Sequence, residues 1–149
     1  MRVVIQRVDK ASVEIDNKIK ASISEGLLVL LGIEDRDNDK DIDLLVKKIC
    51  NLRIFDDKEG IMNLSVMDIS GEILVVSQFT LHSSVRRGNR PTYIRASKPN
   101  IAIPIYKKFI EKLEKGFCKE IKTGEFGADM KISLVNNGPV TIIIDSKNI

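Results

Sequence analysis

A chain of 149 residues, 43% of them apolar and 5% aromatic, is long enough to bury roughly two-thirds or more of the surface its unfolded form exposes, so one domain over residues 1–149 needs no staple to fold. The two cysteines, Cys50 and Cys118, show no CxxC or Cys/His ligand spacing and are expected as reduced, mostly buried thiols, which leaves no metal site and no cofactor signature. The longest apolar run, Leu27 to Leu31 with Ile33 beyond Gly32, is far short of the roughly 20 residues that span a bilayer, and the N-terminus alternates like a strand without a signal-peptide h-region. A cytoplasmic protein with no membrane partner is expected.

In chain order, Val3 to Val8 and Ala11 to Ile15 read as strands, Asp16-Asn17 as a turn, and Ile19, Ala21 and Ile23 as the alternating return. Gly26 opens the continuous apolar run Leu27 to Ile33, which suits a central strand buried on both faces. Asp37, Asn38 and Asp39 are N-cap candidates for a helix whose Ile42, Leu45, Val46 and Ile49 follow at helical spacing to about Asn51. Arg53 to Phe55 reads as a short strand, Asp56 to Gly60 as a turn, Met62, Leu64 and Val66 as an alternating edge, and Glu72 to Leu81 as another apolar strand. His82 to Ala96 is a long polar loop. Ser97 is expected to cap a second helix with a stripe of Ile101, Ile105, Phe109 and Leu113, in which Pro104 must sit in the first turn or kink the start. Strands over Phe117–Thr123, Met130–Val135 and Val140–Ile144 complete the chain. The order predicts a single-domain α/β fold whose mixed, mostly antiparallel sheet curls towards a barrel with two helices packed on it.

Net charge is only +3, yet no acidic residue stands between Glu72 and Glu111 while Arg86, Arg87, Arg90, Arg95, Lys98, Lys107 and Lys108 do. Such a patch attracts phosphates, although a solvated loop and helix face would look the same. Conventional chemistry is scarce. A nucleophilic triad could only pass through the single histidine, His82, with Ser77, Thr80, Ser83 or Ser84 as nucleophile, and strand neighbours point to opposite faces. No HxxxH, GxxxxGK or GxGxxG is present. Thr80 offers a hydroxyl without an evident base, and Ser77 and Thr80 could equally serve local hydrogen bonds at a strand end.

Several separate stretches in order carry a resemblance: "IQRVDKASVEID", "GLLVLLGIE", "SQFTL" at Ser77 to Leu81, "RGNRPTY" at Arg87 to Tyr93, and "TGEFGADMKISLVNNGPVT" at Thr123 to Thr141. Together they resemble the D-aminoacyl-tRNA deacylases over essentially the whole chain. The resemblance implies a homodimeric hydrolase of the ester between tRNA and a D-amino acid, or glycine mischarged on tRNA-Ala. It implies catalytic Ser77, Gln78, Phe79 and Thr80, with Leu81 completing the motif and Met130 as a pocket wall. It further implies a cis Gly138-Pro139 peptide inserted in trans into the partner subunit's pocket to reject L-aminoacyl-tRNA. Backbone N–H groups of Phe79 and Thr80 would hold the oxyanion with help from the tRNA 2′-hydroxyl, or Thr80 would be a covalent nucleophile. Arg86, Arg87, Arg90, Arg95 and Lys98 would contact the tRNA acceptor end. Asn137, Tyr93 and His82 depart from residues common in the family. A non-catalytic dimeric tRNA-binding module, and a generic nucleic-acid-binding α/β domain, are the competing expectations; hydrolysis separates them from the deacylase.

Overall fold

Residues 1–149 of the computed structural model open on one strand, β1 (Arg2–Ile15), where two were expected. Asp9 and Lys10 break the apolar alternation, but they lie exposed while the ladder resumes beyond them, so pairing overrides weak local preference. Asp16 and Asn17 both take positive φ, 50° and 61°, the conformation of a tight two-residue hairpin. They return the chain as β2 (Lys18–Ile23) against the second half of β1. β3 (Gly26–Gly32) pairs antiparallel with the first half of β1.

Helix α1 (Asp39–Asn51) is entered through a reciprocal cap: the Asn38 side chain accepts from Lys40 N–H, and the Asp41 carboxylate accepts from Asn38 N–H. A two-stranded hairpin, β4 (Phe55–Asp56) and β5 (Met62–Leu64), precedes β6 (Glu72–Ser77), which runs parallel to β3. Helix α2 (Pro99–Phe117) differs from expectation at both ends. Lys98, not Ser97, stands at its N-cap, because the Ser97 hydroxyl is committed to Asp35 at 2.6 Å and Pro99 supplies the fixed φ of a first helical residue. Pro104 lies past the first turn. At the other end Phe117, expected to start a strand, is the last buried residue of the helix stripe Ala102, Tyr106, Phe109 and Leu113; Ile101 faces outward. Cys118 follows in a left-handed cap (φ 58°) and is exposed, whereas Cys50 is buried as expected and its thiol is pushed up to about 11 by that burial.

β7 (Lys122–Thr123) adds a short parallel edge to β6, and β8 (Lys131–Asp145) runs antiparallel along nearly the whole of β1. With β2 lying against β6 and β7, the sheet curls into a nearly closed barrel. Alternation on the central strands then fills two cores. Leu27, Val29 and Leu31 of β3 and Ile73 and Val75 of β6 face the helices; Leu28, Leu74 and Val76 face inward onto Val8, Ala11, Val13 and Ile23. Each such burial contributes about 1.5–3 kcal/mol, which is why the unbroken apolar runs sit at the centre and not at an edge. No helix is long and apolar enough to cross a membrane.

Candidate active site

β6 stops at Ser77, short of the expected Leu81. Its last partner is Leu31 at the end of β3, and the Leu31 carbonyl accepts the Gln78 N–H at 2.8 Å. With no further strand to pair, Phe79–His82 winds into a single 3-10 turn. Leu81 N–H closes the turn on the Gln78 carbonyl. Phe79 and Thr80 stand ahead of that first bond, and no side chain caps the turn, so their two N–H groups find no acceptor within it. The Gln78 amide donates to Thr80 Oγ1 at 2.6 Å, fixing both side chains, and Arg2 holds the Leu81 carbonyl at 2.7 Å.

The turn borders a cavity of about 550 Å³. Leu31, Ile33, Val76 and Ile132 give it an apolar lining, Ser77, Gln78 and Phe79 supply one edge, Met130 and Phe126 to Asp129 another, and Tyr93 with Lys98 and Pro99 at the start of α2 a third. Phe79, 55% exposed, meets Tyr93 edge-on at 5.1 Å between ring centroids. Ser77, Gln78, Phe79 and Met130 thus come together around one space; Thr80 and Leu81 support the turn without lining it. His82 is not part of a triad. Its ring is buried beside Gly32, meets no acceptor in hydrogen-bonding geometry, and makes no hydrogen bond to a serine or threonine hydroxyl. No three His, Cys, Asp or Glu side chains converge closely enough to hold a metal ion.

The stretch expected as two strands and a turn is continuous β8 carrying a wide bulge. Between the pairs Gln6–Thr141 and Val8–Asn136, β8 has Asn137 to Val140 where β1 has only Arg7. Side chains fix it. Asn136 accepts from Val140 N–H at 3.0 Å and donates to Thr141 Oγ1 at 3.2 Å; Asn137 donates to Asp9 at 2.7 Å, and its carbonyl accepts from Arg7 Nε at 2.9 Å. Within the bulge the Gly138–Pro139 peptide is cis. Gly138 has φ +131°, and a Cβ there would stand 2.8 Å from Val140 Cγ2 and 3.0 Å from Arg7 Nη2. Both Gly138 and Pro139 are exposed, and neither lines the cavity of its own chain.

In the basic segment, an isolated bridge between Ser84 and Thr92 closes a loop on which Arg86, Arg87 and Arg90 are exposed, and Lys98 reaches the cavity rim. Arg95 differs: its Nη2 donates to buried Glu34 at 3.1 Å. Burial alone would raise the Glu34 carboxyl, but Arg36, Arg95 and nearby His82 outweigh it and hold the group below the usual carboxylate value. Sequence reasoning missed Glu34, and it missed Arg7, which braces the bulge and also donates to the Ile54 carbonyl and Asp56. A visible signal existed for Arg7, an arginine at an inward position of an apolar alternation, which must bring its own acceptors.

Comparison with known proteins identifies the family. Residues 4–145 match the model of the family described as D-Tyr-tRNA(Tyr) deacylase. Curated proteins named D-aminoacyl-tRNA deacylase are similar over 99% of both chains: 65% identity in Flavobacterium psychrophilum and 61% in Porphyromonas gingivalis, each over 148 residues. Among solved structures, the c-Myc DNA Unwinding Element Binding Protein superposes with a TM-score of 0.92 at 43% identity, covering 97% of this chain and 98% of that one. A probable eukaryotic D-amino acid tRNA deacylase shares the fold with a TM-score of 0.82 at 18% identity over 96% and 97%. With its sequence matched from near one end to the other, the chain belongs to the D-Tyr-tRNA(Tyr) deacylase family.

Proposed function

We propose that this protein hydrolyses the ester joining a D-amino acid to the terminal adenosine of tRNA, accepts glycine mischarged on tRNA-Ala, and works in the cytoplasm as a homodimer. The observation that carries the reading is the pair of unclaimed N–H groups of Phe79 and Thr80 beside a cavity without a nucleophile–base pair. An aminoacyl ester is already activated, so water can add to its carbonyl with the neighbouring 2′-hydroxyl assisting. The oxyanion accepts from the two N–H groups, the ester C–O bond breaks, and the 3′-oxygen leaves with a proton. Each such donor is worth about 10²–10³ in rate. Ser77 and Gln78 keep the turn in shape, Leu81 anchors its far end, and Met130 walls the pocket.

Chirality demands more than a hydrophobic pocket, which discriminates by only about 1–3 kcal/mol. Rigid main chain placed where an L side chain would have to go supplies the exclusion. Gly138 and Pro139 are exposed away from their own cavity, so they fit this role in the cavity of a second copy. The unpaired edge of β8, with Leu134, Val135 and Ile143 exposed, supports that copy. Arg86, Arg87, Arg90 and Lys98 contact acceptor-end phosphates, and Arg95 joins them when Glu34 releases it. Initial rates on D-tyrosyl, glycyl and L-tyrosyl esters of one tRNA test the reading: turnover of the first two with the L-ester spared is expected. Equal rates on the D and L esters would remove the chiral gate, and binding without turnover would leave the tRNA-binding module.

A further inference from the structure

Glu34 lies two residues beyond the end of β3 and is nearly closed to solvent, its side chain 5% exposed. Its Oε1 receives Arg36 Nε at 3.0 Å, and its Oε2 receives Arg95 Nη2 at 3.1 Å. The same Oε2 lies 4.0 Å from His82 Nδ1. One carboxylate oxygen therefore stands between the basic segment and the last residue of the turn that carries Phe79 and Thr80. The neighbouring chain is fastened to the same place, since Ser97 N–H donates to the Ile33 carbonyl at 3.0 Å and the Ser97 hydroxyl to Asp35. His82 is fully buried with both ring nitrogens unsatisfied, a costly arrangement that a charge-assisted bond would relieve.

Resting on the proposed contact between the basic segment and tRNA, we propose that Glu34 is a positioning residue: it holds Arg95 in the free protein and passes to His82 when an RNA phosphate takes Arg95, so that substrate binding tightens the catalytic turn. Arg95 is half exposed, so a phosphate can reach it from solvent while it remains on Glu34. A phosphate offers a full charge and a bidentate fit to the guanidinium. Once Arg95 leaves, Oε2 loses its competing donor, and the nearest unsatisfied nitrogen is His82 Nδ1. The charged groups facing the ring are Glu34, which favours its protonation, and the N-terminal ammonium and Arg2, which oppose it. Burial is the largest influence and depresses the imidazole below its ordinary value, while the Gly32 carbonyl, near the ring though not aligned for a hydrogen bond, and Glu34 pull the other way. Freeing Glu34 adds to the upward pull.

Because His82 is the only histidine, its ring resonances are unambiguous. The test titrates the full-length protein by NMR, alone and with a deacylated acceptor-stem minihelix, while amide shifts of residues 84–95 report binding. Binding with an upward shift of the His82 titration supports the coupling. Binding with an unmoved titration overturns it and leaves the phosphate contacts standing. Unperturbed amides would overturn the contact reading and this inference together. Arg95→Gln, an exposed change, should raise the His82 titration without RNA; Glu34→Gln should lower it and abolish the response to RNA. An RNA-induced shift that survives in Glu34→Gln overturns the role of Glu34.

Discussion

The hydrogen bond that Thr80 accepts from Gln78 at 2.6 Å decides what its hydroxyl can do. The bond occupies a lone pair of Oγ1, and no base stands within reach to take the remaining proton, since His82 is turned into the core. An unactivated hydroxyl is a poor nucleophile at neutral pH. Thr80→Val keeps the backbone N–H and removes only the bond to Gln78, so single-turnover deacylation of D-tyrosyl-tRNA should fall about tenfold or less. A loss of about 10⁴-fold or more would assign the hydroxyl a covalent role. Ser77 to Thr80 were legible because a motif marks them. Glu34 was not, because it is one acid in a run with Asp35, Asp37 and Asp39, and nothing in that run marks which of them pairs with Arg95 far along the chain.

At the level of elements, β3 and β6 were readable from their unbroken apolar runs, which only a strand covered on both faces can bury. The 3-10 turn was not, since Phe79 and Leu81 continue the same apolar alternation and only the end of β3 stops the ladder. Likewise Asn136 to Pro139 announced an interruption, but whether it was a hairpin or a bulge depended on β1, whose Gln6 and Val8 hold the strand on either side. Gly138 tests how tightly the bulge is set. An alanine would bring Cβ within 3.0 Å of Arg7 and Val140 at a φ of +131°, a strain of about 1–3 kcal/mol. We expect Gly138→Ala to lower Tm by about 5 °C in a calorimetric scan. Its D-over-L rate ratio should also fall about tenfold, the rate equivalent of roughly 1.4 kcal/mol. A variant matching the parent in both would mean that the bulge tolerates side chains and selects nothing.

Across the whole molecule, electrostatics set two dependences. Five cations, the exposed Arg86, Arg87, Arg90 and Lys98 with Arg95 once Glu34 releases it, predict that the logarithm of tRNA affinity falls with the logarithm of salt at a slope of about 4, read by filter binding. Substituting the first four with glutamine should flatten it. Acid stability depends on Asp41, which joins the start of α1 to the end of the chain through Ser146 and Lys147, each at 2.7 Å. Burial would raise its carboxyl, but Lys147, the Ser146 hydroxyl and Asn38 N–H bring it to about 2. A depressed folded-state value means stability that is complete above the unfolded value near 3.8 and is lost as pH falls towards 2, about 2 kcal/mol in all. Urea midpoints should therefore drop between pH 5 and pH 2, and less steeply in Asp41→Asn. The outer edge of β8 has a different consequence. An open row of N–H and C=O groups invites strand after strand, but the bulge interrupts that row, so an incoming strand can register on one side of Gly138 only. In the homodimer proposed above, such an edge is expected to stop at the pair and not to grow into a filament.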